Sequence, residues 1–292
     1  MYKGSYPAIV TPFKSDKIDE QGFRKNIKFL LVNGSSGIVA CATTGESPSL
    51  TNDEFESVIK AAVDETKNKV PVIAGAGTNS TTKTIDLVKK AEKCGAQGVL
   101  VVTPYYNKPT QDGLYQHYRE ISLSTKLPII IYNVPSRTGC NILPKTVARL
   151  ATDHKNIVAI KEASGNLDQV SELQMLLGND FDILSGDDSL TFPMMAIGAK
   201  GVISVVANIL PKQIADMCRA CLEQNFEQAR QIHLKVFPVI KALFIETNPI
   251  PVKKAMELMG LPAGKPRLPL VEMTKENTVL LRKQLVQFGI DL

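Results

Sequence analysis

One lysine of this sequence stands where an amine can act as a nucleophile. Lys161 directly follows an apolar run at residues 157–160, which has the composition of a strand buried on both faces. An amine at the tip of such a strand is partly desolvated, and desolvation disfavours its charged form. A neutral lysine can attack a carbonyl carbon and form a Schiff base. A lysine that pairs with an acid or reaches solvent from the strand end is the alternative.

Hydroxyl side chains lie at the end of, or soon after, three other apolar runs. Tyr132 ends the run at residues 128–132, Tyr106 comes soon after a fourth run, and Thr43 comes soon after a second. Three hydroxyls brought together can pass protons during a reaction. The two tyrosines also suit core packing with the hydroxyl reaching water, so the pattern alone leaves both interpretations open.

Two further features suit carboxylate binding. The donors of Thr43-Thr44-Gly45 can hold an anion, although these residues also suit a polar turn. Arg137 has the fork geometry for a second carboxylate, and an ordinary surface arginine is the alternative.

Metal and coenzyme sites are poorly supported. Three dispersed histidines, none at the end of a predicted strand, are His117, His154 and His233. Asp187 and Asp188 suit a helix cap better than a magnesium site. Gly75-x-Gly77 lacks the third glycine of a dinucleotide fingerprint, and no Walker or G-x-S-x-G motif occurs. We therefore predict no cofactor and no metal.

The elements that must position these residues form a repeating pattern. Eight apolar runs lie at residues 8–10, 37–41, 70–74, 98–102, 128–132, 157–160, 182–184 and 201–206. Their ends are about 22 to 33 residues apart, the length of a βα unit. Amphipathic stretches lie between them, one of them opened by a capping box at residues 51–54. The pattern predicts an α/β fold, a (β/α)₈ TIM barrel, with a doubly wound open sheet as the alternative.

The chain beyond the eighth run has a different pattern. It is helical in character and is interrupted at residues 248–251 and 264–266. We expect a catalytic barrel at residues 1–224 and a C-terminal helical extension at residues 225–292.

Composition excludes several classes of protein. The chain has 292 residues, 44% of them hydrophobic, and a net charge of +5 without basic runs, so neither nucleic acid nor a membrane is an expected partner. Five cysteines and no signal-peptide pattern predict a reducing, cytoplasmic location. Cys218-x-x-Cys221 lies in a helical stretch and suits helix packing.

Five motifs together resemble a known family. Segments 43–46, 132–139, 160–166, 201–204 and 246–251 are similar to those of the dihydrodipicolinate synthase family, within the N-acetylneuraminate lyase superfamily, in the same order and spacing. Ala42 stands where the family has glycine. The resemblance implies a cofactor-free lyase that condenses pyruvate with L-aspartate 4-semialdehyde in the diaminopimelate route to lysine. It also implies a homotetramer, built as a dimer of dimers.

The resemblance also implies roles for individual residues. Lys161 forms the Schiff base, and the proton relay consists of Thr43, Tyr132 and, from a neighbouring subunit, Tyr106. The substrate-binding positions are Thr44, Arg137, Gly186 and, through its main-chain carbonyl, Ile203. Lys83 stands where lysine-inhibited members have a glutamate, so weak or absent inhibition by L-lysine is expected. The alternatives are an N-acetylneuraminate or 2-keto-3-deoxy sugar-acid lyase, and a non-catalytic barrel that binds pyruvate.

Overall fold

Eight parallel strands form the centre of the molecule in the computed structural model, which describes residues 1–292. They are β1 (Gly4–Pro7), β2 (Ile38–Ala40), β3 (Val72–Gly75), β4 (Gly98–Val102), β5 (Ile129–Asn133), β6 (Ile157–Glu162), β7 (Asp182–Ser185) and β8 (Gly201–Ser204). From β2 to β8 each strand pairs with the next, and β8 pairs in parallel with β1. A single bridge between Ala8 and Val39 connects β1 to β2 and closes the ring. The predicted (β/α)₈ barrel is confirmed, and the open sheet is wrong.

The first strand lies earlier than the sequence pattern predicts. Apolar residues 8–10 are buried but mostly continue beyond the ladder, and the Val10 amide donates to the Asn208 side chain instead. The strand itself has the sequence Gly-Ser-Tyr-Pro, which is typical of a turn. All four residues are buried because the strand is enclosed by its neighbours. A small hairpin, Phe13–Lys14 with Lys17–Ile18, was not predicted.

Eleven main helices surround and extend the barrel. They are α1 (Glu20–Val32), α2 (Asn52–Thr66), α3 (Thr81–Lys93), α4 (Gln111–Ser124), α5 (Pro144–Asp153), α6 (Leu167–Leu177), α7 (Thr191–Ala196), α8 (Pro211–Leu222), α9 (Phe226–Ala242), α10 (Ile250–Leu258) and α11 (Lys275–Phe288). Short helical turns lie at the tops of several strands. The predicted capping box opens α2, with the Thr51 side chain accepting from the Glu54 amide. Cys218 and Cys221 are buried in α8. No helix is both long and apolar enough to cross a membrane.

Two apolar cores hold these layers together. A cluster of 13 buried residues, among them Ile73, Leu100 and Ile130, fills the inside of the barrel. A cluster of 66 lies between the strands and the helices. The larger cluster also contains Val236 of α9 and Leu281 of α11, so the C-terminal helices share a core with the barrel. The division at residues 224 and 225 lies between α8 and α9, and two separate domains remain a prediction.

An irregularity in β6 determines which side chains face the barrel interior. The pairing of β5 with β6 shifts by one residue, from Ile129 opposite Ile157 to Ile130 opposite Ala159. A regular ladder would place Tyr132 opposite residue 160, but the shift places it opposite Lys161. Since neighbouring residues in register point to the same face, Tyr132 and Lys161 both point inward.

Candidate active site

A cavity of about 300 Å³ opens at the carboxyl ends of the strands. This is the end at which barrel enzymes place their active sites. Six of the eight predicted site residues line it: Thr43, Thr44, Tyr132, Arg137, Lys161 and Gly186. Sequence reasoning therefore located most of the predicted site, which is a third of the 18 residues that line the cavity.

Lys161 is enclosed in the wall of this cavity. Its side chain is buried, and its ammonium lies 4.1 Å from the centre of the Tyr132 ring. Burial lowers the pKa of Lys161 to about 7, the Asp188 charge opposes this shift, and the Arg137 charge adds to it. A large fraction of this amine is therefore neutral at physiological pH, as nucleophilic attack requires.

Gly186 gives the lysine its space. A Cβ atom at residue 186 would lie 3.0 Å from Cε of Lys161 and 2.7 Å from Cβ of Ala163. The second distance is shorter than any normal contact between these atoms. Any larger residue here would displace the lysine or the strand that carries it.

Tyr132 and Thr43 form a pair of hydroxyls beside the amine. Burial raises the pKa of Tyr132 to about 12, while the Arg137 charge and a hydrogen bond with the Thr43 side chain lower it. The phenol is therefore protonated at neutral pH. A neutral phenol next to a hydroxyl is suited to passing protons in either direction.

Thr44 lies in a tight helical turn at residues 43–45 that follows β2. Its hydroxyl accepts a hydrogen bond from the Asn248 side chain at 3.0 Å. Arg137 lies on another short helical turn, Pro135–Thr138, and donates to the Asn248 carbonyl at 3.3 Å. Asn248 thus connects the threonine turn with the arginine across the cavity mouth.

The C-terminal helices supply residues to the cavity that sequence reasoning did not assign. Lys241 and Phe244, near the end of α9, line it together with Asn248. Asn248 belongs to the segment 246–251 noted above, but the type of residue gave no signal of its position. Their contribution depends on how α9 packs against the barrel, which no local pattern encodes.

Two predicted residues lie outside the cavity. Ile203 does not line it, and its side chain belongs to the inner core. Tyr106 is 89% exposed, with a left-handed backbone at φ 74°, and does not contact the cavity of its own chain.

The adjacent acids have structural roles. The Asp187 side chain accepts from the Ser189 amide and caps a short helical turn, as the sequence predicts. The buried Asp188 accepts from the Ser204 hydroxyl and the Val205 amide, and burial raises its pKa. No group of three or more His, Cys, Asp or Glu side chains is arranged to hold a metal ion.

Comparison with known proteins agrees with this geometry. The model of the Dihydrodipicolinate synthetase family matches residues 1–288. The chain belongs to this family. The 4-hydroxy-tetrahydrodipicolinate synthase of Methanocaldococcus jannaschii is 54% identical over 290 residues, covering 99% of this chain and all of the relative.

Solved structures of the family superimpose closely. Dihydrodipicolinate synthase from Thermotoga maritima has a TM-score of 0.98 at 49% identity, covering 100% of both chains. The enzyme from Cyanidioschyzon merolae, solved with lysine bound, has a TM-score of 0.96 at 39% identity, covering 99% of each chain. The predicted synthase activity and the lyase class are confirmed. The full-length relatives support this function over the alternative of a sugar-acid lyase.

Proposed function

We propose that this chain performs the family's synthase reaction through a Schiff base between Lys161 and pyruvate, with L-aspartate 4-semialdehyde as the second substrate. The observation that carries this assignment is the buried amine of Lys161, whose pKa is about 7, in the wall of a cavity of about 300 Å³. No other lysine combines a lowered pKa with a place in that cavity: Lys241 also lines it but is exposed, and Lys253 is held in an ion pair elsewhere.

The reaction follows from an uncharged amine in a shielded site. The Lys161 nitrogen attacks the ketone carbon of pyruvate, and one water leaves to give an iminium. The iminium acidifies the neighbouring methyl group, which loses a proton and becomes an enamine. The enamine carbon attacks the aldehyde, and the amine of the second substrate then displaces Lys161 as the ring closes. The iminium itself serves as the electron sink.

Each step moves a proton, and the two hydroxyls beside the amine are placed to carry it. We assign this relay to Tyr132 and Thr43, with Tyr106 as its third member. The Thr44 hydroxyl and neighbouring amides hold the pyruvate carboxylate. Arg137, exposed at the cavity mouth, holds the carboxylate of the semialdehyde.

Borohydride trapping tests the assignment of the amine. Protein treated with pyruvate and borohydride should gain one reduced pyruvate adduct, mapped by peptide mass spectrometry to Lys161. Lys161→Ala should gain none, whereas Lys241→Ala, which removes the other lysine lining the cavity, should still be labelled. An adduct on Lys161→Ala would overturn the proposal.

A coupled assay tests the second substrate. Pyruvate is offered with either the semialdehyde or a panel of sugar aldehydes. Turnover only with the semialdehyde is expected, since Arg137 suits a carboxylate where a sugar presents hydroxyls. Faster turnover of a sugar aldehyde would contradict the proposed substrate.

We also propose that the working form is a homotetramer, a dimer of dimers, in the cytoplasm. The exposure of Tyr106 supports this assembly, because one proposed member of the relay is absent from the cavity of a single chain. A second copy would have to supply it. Sedimentation analysis tests the assembly, and a monomeric active enzyme would contradict it.

A further inference from the structure

We propose that the buried ion pair between Glu46 and Lys253 positions the threonine turn at residues 43–45, which makes the C-terminal helices a working part of the site. The inference rests on the proposed function, because it concerns the turn assigned to pyruvate and to proton transfer. Lys253 and Glu46 touch no substrate in this scheme. They are positioning residues.

The pair is almost completely enclosed. The Lys253 and Glu46 side chains are 1% and 2% exposed, and Nζ of Lys253 lies 2.6 Å from Oε1 of Glu46. The ammonium also donates to the carbonyls of Thr11 at 3.3 Å and Lys265 at 3.2 Å. All three of its donors are therefore used, and it lies 4.4 Å from the centre of the Phe13 ring.

The second carboxylate oxygen of Glu46 is used as well. Oε2 accepts from the Arg267 amide at 2.8 Å. The carboxylate is thus held by α10, which carries Lys253, and by the loop before α11, which carries Arg267. Both of these lie in the C-terminal extension, more than 200 residues from Glu46 in sequence.

Glu46 directly controls the end of the threonine turn. It is the C-cap residue of the turn, and its amide donates to the Thr43 carbonyl at 3.1 Å. Its backbone is left-handed, at φ 56°. This conformation is unfavourable for a non-glycine residue. The anchored carboxylate helps to hold it, so its loss should shift the carbonyl and hydroxyl of Thr43.

Lys253 is poorly explained as a stabilising feature. It lies in the first turn of α10, where the helix dipole disfavours a positive charge. A buried ion pair is in general no more stabilising than apolar residues of the same size, but it is strict about geometry. An ion pair that is unfavourable to bury but requires a defined geometry is suited to positioning a catalytic turn.

The test compares Lys253→Met and Glu46→Gln with the wild type in pyruvate adduct formation, measured by borohydride trapping, and in steady-state kinetics. Lys253→Met should raise KM for pyruvate and slow trapping by about tenfold or more, since small displacements of reacting groups have effects of that size. Glu46→Gln, which keeps both side-chain positions filled, should change both quantities in the same direction by less. The double variant should recover thermal stability relative to Lys253→Met without recovering the kinetics.

Leu281→Ala is the matched control. Leu281 is fully buried in α11, so its truncation weakens the same extension without touching the ion pair. It should lower the melting temperature and leave KM for pyruvate unchanged below that temperature. The positioning role is refuted if folded Lys253→Met and Glu46→Gln trap pyruvate at the wild-type rate, or if Leu281→Ala loses trapping to the same degree. Failure of the wild type to trap pyruvate would instead refute the proposed function.

Discussion

The chemistry proposed for this protein depends on the environment of a single side chain. A lysine on the protein surface is a protonated cation at neutral pH. Burial at the end of β6 lowers the pKa of Lys161 to about 7. Burying an amine without a full set of partners disfavours the folded state, and active sites often carry such a cost. The buried Lys161 amine therefore lowers the stability of the folded state and makes Schiff-base formation possible.

The pH dependence of adduct formation should report this pKa. Below about pH 7 the rate of trapping should fall roughly tenfold per unit, because only the neutral amine attacks, and above it the rate should level off. Stopped-flow mixing with pyruvate at a series of pH values measures the profile. A rate that keeps rising toward pH 10 would show an ordinary solvated lysine. Asp188→Asn provides a check, since removing the charge that raises the pKa should move the inflection to lower pH.

Arg137 should determine the choice of acceptor and influence the first half of the reaction only through the pKa of Lys161, which its charge helps to lower. Arg137→Ala is expected to cost about 1.5 to 3 kcal/mol in kcat/KM for the semialdehyde, the range for a hydrogen bond to a charged group. Arg137→Lys keeps the charge but loses the fork, so it should recover only part of that loss. Pyruvate trapping should persist in both variants. If Arg137→Ala has the wild-type kcat and KM for the semialdehyde in steady-state kinetics, Arg137 does not bind its carboxylate.

At the scale of the element, the irregular register of β6 is as important as the lysine it carries. Without the extra residue, Lys161 would align with Asn133, whose side chain bonds to Glu162 and Asn141 rather than lining the cavity. Apolar runs indicate where a strand lies, but a one-residue shift leaves no compositional trace in a run such as Ile-Val-Ala-Ile. The sequence therefore predicts the strand and its terminal lysine, but not the inward direction of the side chain.

The same reasoning explains what else could be predicted. Residues at or just after the end of a strand, such as Tyr132 and Gly186, are predictable because parallel strands bring their carboxyl ends together. Asn248 and Lys253 are not, because the contact of Asn248 with the cavity and of Lys253 with Glu46 depends on the packing of α9 and α10 against the barrel. Tyr106 could be assigned only by resemblance, since it is exposed on a single chain.

The prediction about inhibition by L-lysine concerns the first turn of α3. Lys83 is exposed there, where the lysine-inhibited members that this chain resembles have an acid. Replacing attraction with repulsion near an inhibitor amine changes its binding by about 1 kcal/mol in water, and by more when desolvated. L-lysine titrated at saturating pyruvate should inhibit the wild type weakly or not at all. It should inhibit the Lys83→Glu variant more strongly. Strong inhibition of the wild type at sub-millimolar L-lysine would show the prediction to be wrong.

At the scale of the whole molecule, mixed assemblies should separate action within a chain from action between chains. Lys161→Ala and Tyr106→Phe should each be inactive or nearly so. When they are refolded together in equal amounts, about half of the dimers are hybrids, and one site in each hybrid has Lys161 with an intact tyrosine from its partner. About a quarter of the wild-type activity is therefore expected. If Tyr106 acts within its own chain, no activity returns.

The closure of the barrel has a consequence for how the protein is made. β1 has a full ladder only with β8, from Gly4 opposite Gly201 to Pro7 opposite Ser204, whereas it touches β2 through the single bridge at Ala8. During synthesis, β1 therefore cannot form its full ladder until β8 has left the ribosome. Until some 200 residues have emerged, its edge and those of its neighbours stay open to wrong pairing.

Completion of the ring then depends on a contact that only glycine permits. A Cβ atom at Gly201 would lie 2.0 Å from the Gly4 carbonyl oxygen. This close contact between the first and last strands favours the correct register when β1 and β8 pair. A chain that ends before residue 201 would lack the ladder partner of β1, so the sheet would stay open.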